Sequence, residues 1–281
     1  MEENRGRDLL AFFNTIYQND IDQKGFELSD REEFQSVLAT LELYGMPTGN
    51  FLENLKTLGM KKKETVDLFT KANYIPKHNK LTYSDEKYIK HELFHMAASK
   101  KGETSGVSFM TKSGIVLGEA LNEGITEMFT KLNDPNYKVQ YPFEKMVSEV
   151  LYYIYDGEEL FEHHFRNDSQ AFLEALGDVR IGKELLVQLD KFRNSFIQVC
   201  DRATNEERFD ETEFYQVRFF FEQVLLLLTE LFYKMGKKDK KEFQMFVTNG
   251  LADSEMEQVK LVVTGLGTKE LFDTKFKGKL F

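Results

Sequence analysis

Apolar positions along this chain recur mostly at helical intervals. Between Arg31 and Tyr44, Phe34, Val37, Leu38 and Leu41 fall on one helical face, and Gly45-Met46-Pro47 ends the run. A second short helix is expected from Asn50 to Leu58, and a third from Lys61 to Tyr74 with Val66, Leu68 and Phe69 inward. The period then changes. Asn73-Tyr74-Ile75 and Leu81-Thr82-Tyr83, joined through Pro76-Lys77-His78-Asn79, predict a short β-hairpin. Ser84-Asp85-Glu86 carries a helix N-cap and acidic first-turn residues, which predicts a helix from about Asp85 to Ser99.

Val107–Met110 and Ile115–Leu117 read as a second hairpin around Thr111-Lys112-Ser113-Gly114, followed by a helix from about Glu119 to Leu132 that Asn133-Asp134-Pro135 stops. Pro142 opens a helix to Tyr155, shorter pieces run on to Leu176, and two long helices span Lys183–Arg202 and Glu211–Met235. The second of these is apolar nearly all round, with Phe214, Phe219, Phe220, Phe221 and Val224 to Leu228, so it is expected to be buried by neighbours. Only four prolines occur in 281 residues, and the expected fold class is predominantly α (α+β), with a small β-sheet and hairpins. Three regions are expected: an N-terminal helical region (1–70), a catalytic core (71–180) and a C-terminal helical region (181–281).

Composition narrows the function. With 41% hydrophobic residues the chain can bury a core, so global disorder is excluded. Its 37 Lys+Arg against 47 Asp+Glu give a net charge of -10, which argues against a nucleic-acid partner, because that affinity rests on a basic surface. A single cysteine excludes an intramolecular disulfide framework and fits a reducing compartment. Met1-Glu2-Glu3-Asn4-Arg5 does not read as a signal peptide, and the apolar run Val224–Leu228 is far short of the ~20 residues that span a bilayer. No membrane span and a cytoplasmic location are therefore expected.

The candidate chemistry lies in His91-Glu92-Leu93-Phe94-His95, an H-E-x-x-H pentapeptide on a predicted helix. The i, i+4 spacing puts two of the five histidines on one face, a turn apart, as two nitrogen ligands of one metal require. Glu92 lies about 100° round the helix, where its carboxylate reaches a water on the metal instead of the metal itself. The next predicted helix carries Asn122-Glu123-Gly124-Ile125-Thr126-Glu127, with Glu123 and Glu127 on one face among Ala120, Leu121, Ile125, Met128 and Phe129. A catalytic zinc site takes three protein ligands, and Glu123 is the candidate third. Glu127 is a candidate to orient a ligand histidine through a hydrogen bond. A solvated acidic face is the competing account of this pair.

The two segments together resemble the gluzincin metallopeptidases, the thermolysin-like branch of the zincins, whose second segment reads Asn-Glu-x-x-Ser-Asp or a close variant. The resemblance covers roughly Asn73 to Tyr155, and Thr126-Glu127 replaces Ser-Asp conservatively. It implies a zincin-like core with Zn2+ held by His91, His95 and Glu123, Glu92 as general base, and Glu127 with Asn122 supporting the ligands from behind. It implies a peptide or protein substrate, hydrolysed by a metal-activated water. An oxyanion donor is also needed. The candidates are Tyr137, Tyr141, Tyr152, Tyr153, Tyr155 and the pair His163-His164, with Tyr141 favoured. A non-catalytic helical interaction protein with a structural or vestigial metal site is the alternative. Cys200 has no CxxC partner and reads as a structural thiol, and His78 as a surface residue in a turn.

Overall fold

The computed structural model of the protein describes residues 28–62, 71–100, 105–155, 157–204, 211–235 and 239–264. They are mainly helical, with one sheet of three short strands and one of two, the predominantly α, α+β class that the pattern predicts. Among them, no helix is long and apolar enough to cross a membrane. The chain divides into two compact units, one of residues 1–106, 129–137 and 164–168, the other of 107–128, 138–163 and 169–281.

The described residues of the first unit open with α1 (Leu28–Leu43) and α2 (Gly49–Thr57). Strands β1 (Gly59–Lys62), β2 (Ala72–Ile75) and β3 (Lys80–Tyr83) follow, then α3 (Ile89–Ala97). The sheet order is β1-β3-β2: β2 and β3 form the expected antiparallel hairpin, with Tyr74 opposite Leu81. β1 runs parallel to β3, with Met60 opposite Leu81. The helix expected from Lys61 to Tyr74 is therefore overturned at both ends, while 63–70 lie outside the described residues. Gly59-Met60-Lys61-Lys62 has no strand alternation of its own. It is a strand because the open edge of β3 takes up its backbone groups, a tertiary influence that local pattern does not carry.

A turn of 3₁₀ helix at Pro76–His78 links β2 to β3 and leaves His78 exposed, as expected. Asn79 closes that turn at φ 46, in the left-handed region that asparagine tolerates. Its side-chain amide donates to Asn54 O at 2.7 Å and Thr57 Oγ1 at 2.8 Å, which ties the hairpin to the end of α2. The core here includes Phe34, Leu41, Phe51, Leu81, Leu93 and Phe94, each removed from water at about 1.5–3 kcal/mol. Phe129 stands edge-on to Phe165 with centroids 4.9 Å apart, a favourable quadrupole arrangement.

The second unit opens with the expected hairpin, β4 (Phe109–Met110) against β5 (Val116–Leu117). Helix α4 (Glu119–Asn133) contributes its residues up to Met128 to this unit. It is followed by α5 (Pro142–Tyr155), α6 (Glu158–Phe165), α7 (Ser169–Ala175), α8 (Val179–Thr204), α9 (Glu211–Met235), α10 (Lys240–Ala252) and α11 (Glu257–Thr264). Phe143 of α5, Phe192 of α8 and Phe221 of α9 meet with centroids 4.4 to 6.0 Å apart and form the centre of its core. α9 buries Val217, Phe221, Val224, Leu228 and Leu231 but exposes Tyr215, Phe219, Leu226 and Tyr233 on the opposite side. The expected burial of α9 all round is thus corrected: its neighbours cover one face.

Candidate metal centre

The histidines are held by main-chain dipoles. α3 is short, and its last carbonyls lack partners within the helix. Asn54, buried on α2, donates to Met96 O at 3.0 Å and Ser99 O at 2.7 Å. His95 O accepts from the hydroxyls of Ser99 at 2.6 Å and Ser105 at 3.0 Å. Leu93, Phe94 and Met96 bury the remaining face, so the helix has no freedom to rotate its histidines into solvent. His91 and His95 are both buried, and their Nε2 atoms approach to 3.0 Å with the rings at 77°. Two nitrogens each about 2.0–2.1 Å from one zinc at the tetrahedral angle stand roughly 3.3–3.4 Å apart, so the pair is within a few tenths of an ångström of that spacing.

Tyr137 lies nearly parallel to the His91 ring, with centroids 6.2 Å apart, and its hydroxyl makes a long 3.4 Å contact with His91 Nδ1. That contact helps to orient the ring. Glu92 is half-buried, and its Oε2 accepts the Tyr74 N–H of β2 at 2.7 Å. His164 is fully buried, and neither ring nitrogen has a hydrogen-bond partner among the described residues. Burial first, and the neighbouring His95 second, push its pKa down to about 3. His163 beside it is half-buried.

The carboxylates are held by charge. Gly118 precedes α4 at φ +87, where a Cβ would also stand 3.1 Å from Val107 O. Asp190 of α8 accepts the Gly118 N–H at 2.7 Å and the Ala120 N–H at 2.8 Å, capping α4 from another helix. One turn along α8, Arg193 donates from Nη2 to Glu123 Oε1 at 3.1 Å, and its guanidinium lies over the Tyr141 ring at 4.7 Å. Glu127 is fully buried and accepts the Gln140 N–H at 3.0 Å, and Asn122 and Thr126 are buried beside it.

Gly124 lets α4 press on α5, since a Cβ there would stand 2.1 Å from Glu144 O and 2.6 Å from Ser148 Oγ. The Glu144 side chain is buried, and burial raises its carboxyl to about 7, with Arg193 pulling it down and Glu123 and Glu127 pushing it up. Burial, then the charge of Glu123, raises the Tyr141 phenol to about 12, so it is a protonated donor at neutral pH.

The ligand atoms of His91, His95 and Glu123 all lie within 4.8 Å of one another. Two imidazoles and one carboxylate are a donor set that zinc accepts, so the residues present fit that ion. Arg193, Asp190 and Glu144 are absent from the sequence reading. Asp190 and Arg193 are three apart at the margin of the apolar stripe Leu186, Leu189 and Phe192, the only signal that they face inward. Comparison with known proteins returns no significant match to any family model, curated protein or solved structure.

Proposed function

We propose that the protein is a zinc-dependent hydrolase, a metallopeptidase that cleaves peptide bonds with Glu92 as general base. The observation that carries this reading is the convergence of His91, His95 and Glu123 to within 4.8 Å, with Glu92 one residue along the same helix. When bound there, zinc supplies Lewis acidity, polarising a carbonyl and acidifying water toward a pKa of about 7. Glu92 takes the proton of the attacking water as the new carbon–oxygen bond forms, and returns it to the amine nitrogen as the carbon–nitrogen bond breaks. The Tyr74 N–H fixes one of its oxygens and so its direction. Tyr137 keeps the His91 ring in place, and Tyr141, protonated at working pH, is the donor for the oxyanion. A peptide or protein substrate and a cytoplasmic setting belong to the same proposal, the latter supported by the single cysteine.

A second reading draws on the Arg193–Glu123 ion pair, which satisfies Glu123 without any metal. It makes the chain a non-catalytic helical interaction protein with a structural or vestigial site. Zinc content and peptide cleavage of the wild type, His91→Ala and Glu92→Gln separate the two. The hydrolase reading expects one equivalent of zinc in the wild type and Glu92→Gln and loss of zinc in His91→Ala. It also expects cleavage to fall by about 10²–10⁴ in Glu92→Gln. A wild type purified with ample zinc that retains no stoichiometric metal ends the hydrolase reading. Bound zinc without cleavage of any member of a broad peptide library favours the second.

A further inference from the structure

We infer that Arg193 is a positioning residue for the metal's carboxylate ligand: it engages Oε1 of Glu123 so that this side chain presents a single oxygen to the ion. The inference rests on the metal reading of His91, His95 and Glu123.

Three observations carry it. Arg193 Nη2 meets Glu123 Oε1 at 3.1 Å, in a place where both side chains are largely shielded from solvent. The guanidinium is laid over the Tyr141 ring at 4.7 Å, so its plane is set by an aromatic surface and not by solvent. Its Nε is buried with no partner among the described residues, a donor given up to keep the group in this orientation. An arginine recruited only to balance charge at a surface would accept none of these constraints.

The chemistry follows from what a carboxylate does beside a dication. With both oxygens available it can chelate, adding a donor and crowding out the position that water needs. With one oxygen committed to a fixed guanidinium, it binds through the other. Asp190 sets the frame, because it holds the Gly118 and Ala120 N–H groups from the same side of α8 one turn earlier. α8 thus fixes both the start of α4 and the first acidic side chain that follows.

The test uses cobalt(II) in place of zinc in the full chain, since its visible bands are strong in a four-coordinate site and weaken as donors are added. We expect the wild type to bind one equivalent with strong bands. Arg193→Gln should bind one equivalent with bands several-fold weaker, and Arg193→Lys, which keeps a cation at Oε1, should restore the wild-type spectrum. X-ray absorption of the wild-type zinc form should count one carboxylate oxygen, a result that needs no variant to fold. Identical spectra for the wild type and Arg193→Gln overturn the inference, and so does a two-oxygen carboxylate in the wild type. Either leaves the metal reading standing. A wild type that takes up no cobalt or zinc overturns both.

Discussion

The histidine-bearing helix α3 and the carboxylate-bearing start of α4 are secured in opposite ways. The last turn of α3 and its histidines are held by neutral groups, an asparagine amide, two serine hydroxyls and a tyrosine, while the helix's ion pair, Lys90 with Glu33 at 3.2 Å, lies at its start. Around α4 the partners are ionic: Asp190 on its first amides and Arg193 on Glu123, with the buried carboxyl of Glu144 near by. Neutral dipoles aim the imidazoles without adding charge beside them, whereas a charged cage limits where a carboxylate points. Buried titratable groups in the two regions also carry opposite pH signatures.

The largest effect should come from attacking the packing on which the ionic region depends. Gly124→Ala puts a methyl group 2.1 Å from a backbone oxygen of α5, which no rotamer relieves. It should cost about 3 kcal/mol or more in a denaturant titration. If this variant is as stable as wild type, α4 and α5 are not in the contact described.

Glu144→Gln separates packing from charge. Burial raises the Glu144 carboxyl to about 7 from an ordinary value near 4.5, so the folded state is increasingly penalised as pH rises from about 4.5 through 7. The variant should be near-isoenergetic with wild type at pH 4.5. It should gain on the order of 2–3 kcal/mol by pH 8 in the metal-free protein. A difference that stays flat with pH would remove Glu144 from the account.

The smallest effect has the reverse slope. His164 is buried as the neutral imidazole with its pKa pushed down to about 3 from 6.5, so stability is intact above pH 6.5 and is lost as pH falls below it. His164→Phe should gain on wild type by roughly 2 kcal/mol between pH 7.5 and pH 5, read from thermal or denaturant midpoints at each pH. A gain toward alkaline pH would mean that the imidazole is charged in the fold.

What could be read from sequence was whatever depends on local spacing. Pro142–Tyr155 and Glu211–Met235 are helices with the bounds expected of them, and His91, His95 and Glu123 come together as the two motifs imply. β1 escaped because its partner β3 is supplied by the fold. Glu144 escaped because an acid just after Pro142 reads as an ordinary complement to the helix dipole, and only the approach of α4 at Gly124 buries it. Asp190 and Arg193 escaped because α8 alone gives them a half-exposed margin, and their partners are 70 or more residues earlier.

That separation in the chain has a consequence for how the protein is made. The amides at the start of α4 find their acceptor only after Asp190, 70 and 72 residues further on, has left the ribosome. At about 5–20 residues per second this is a delay of roughly 4–14 s. During it, the glutamate-bearing helix has neither its cap nor the arginine that engages Glu123. Vectorial synthesis therefore supplies Tyr137, which meets His91, well before Asp190 and Arg193, which hold the start of α4 and Glu123.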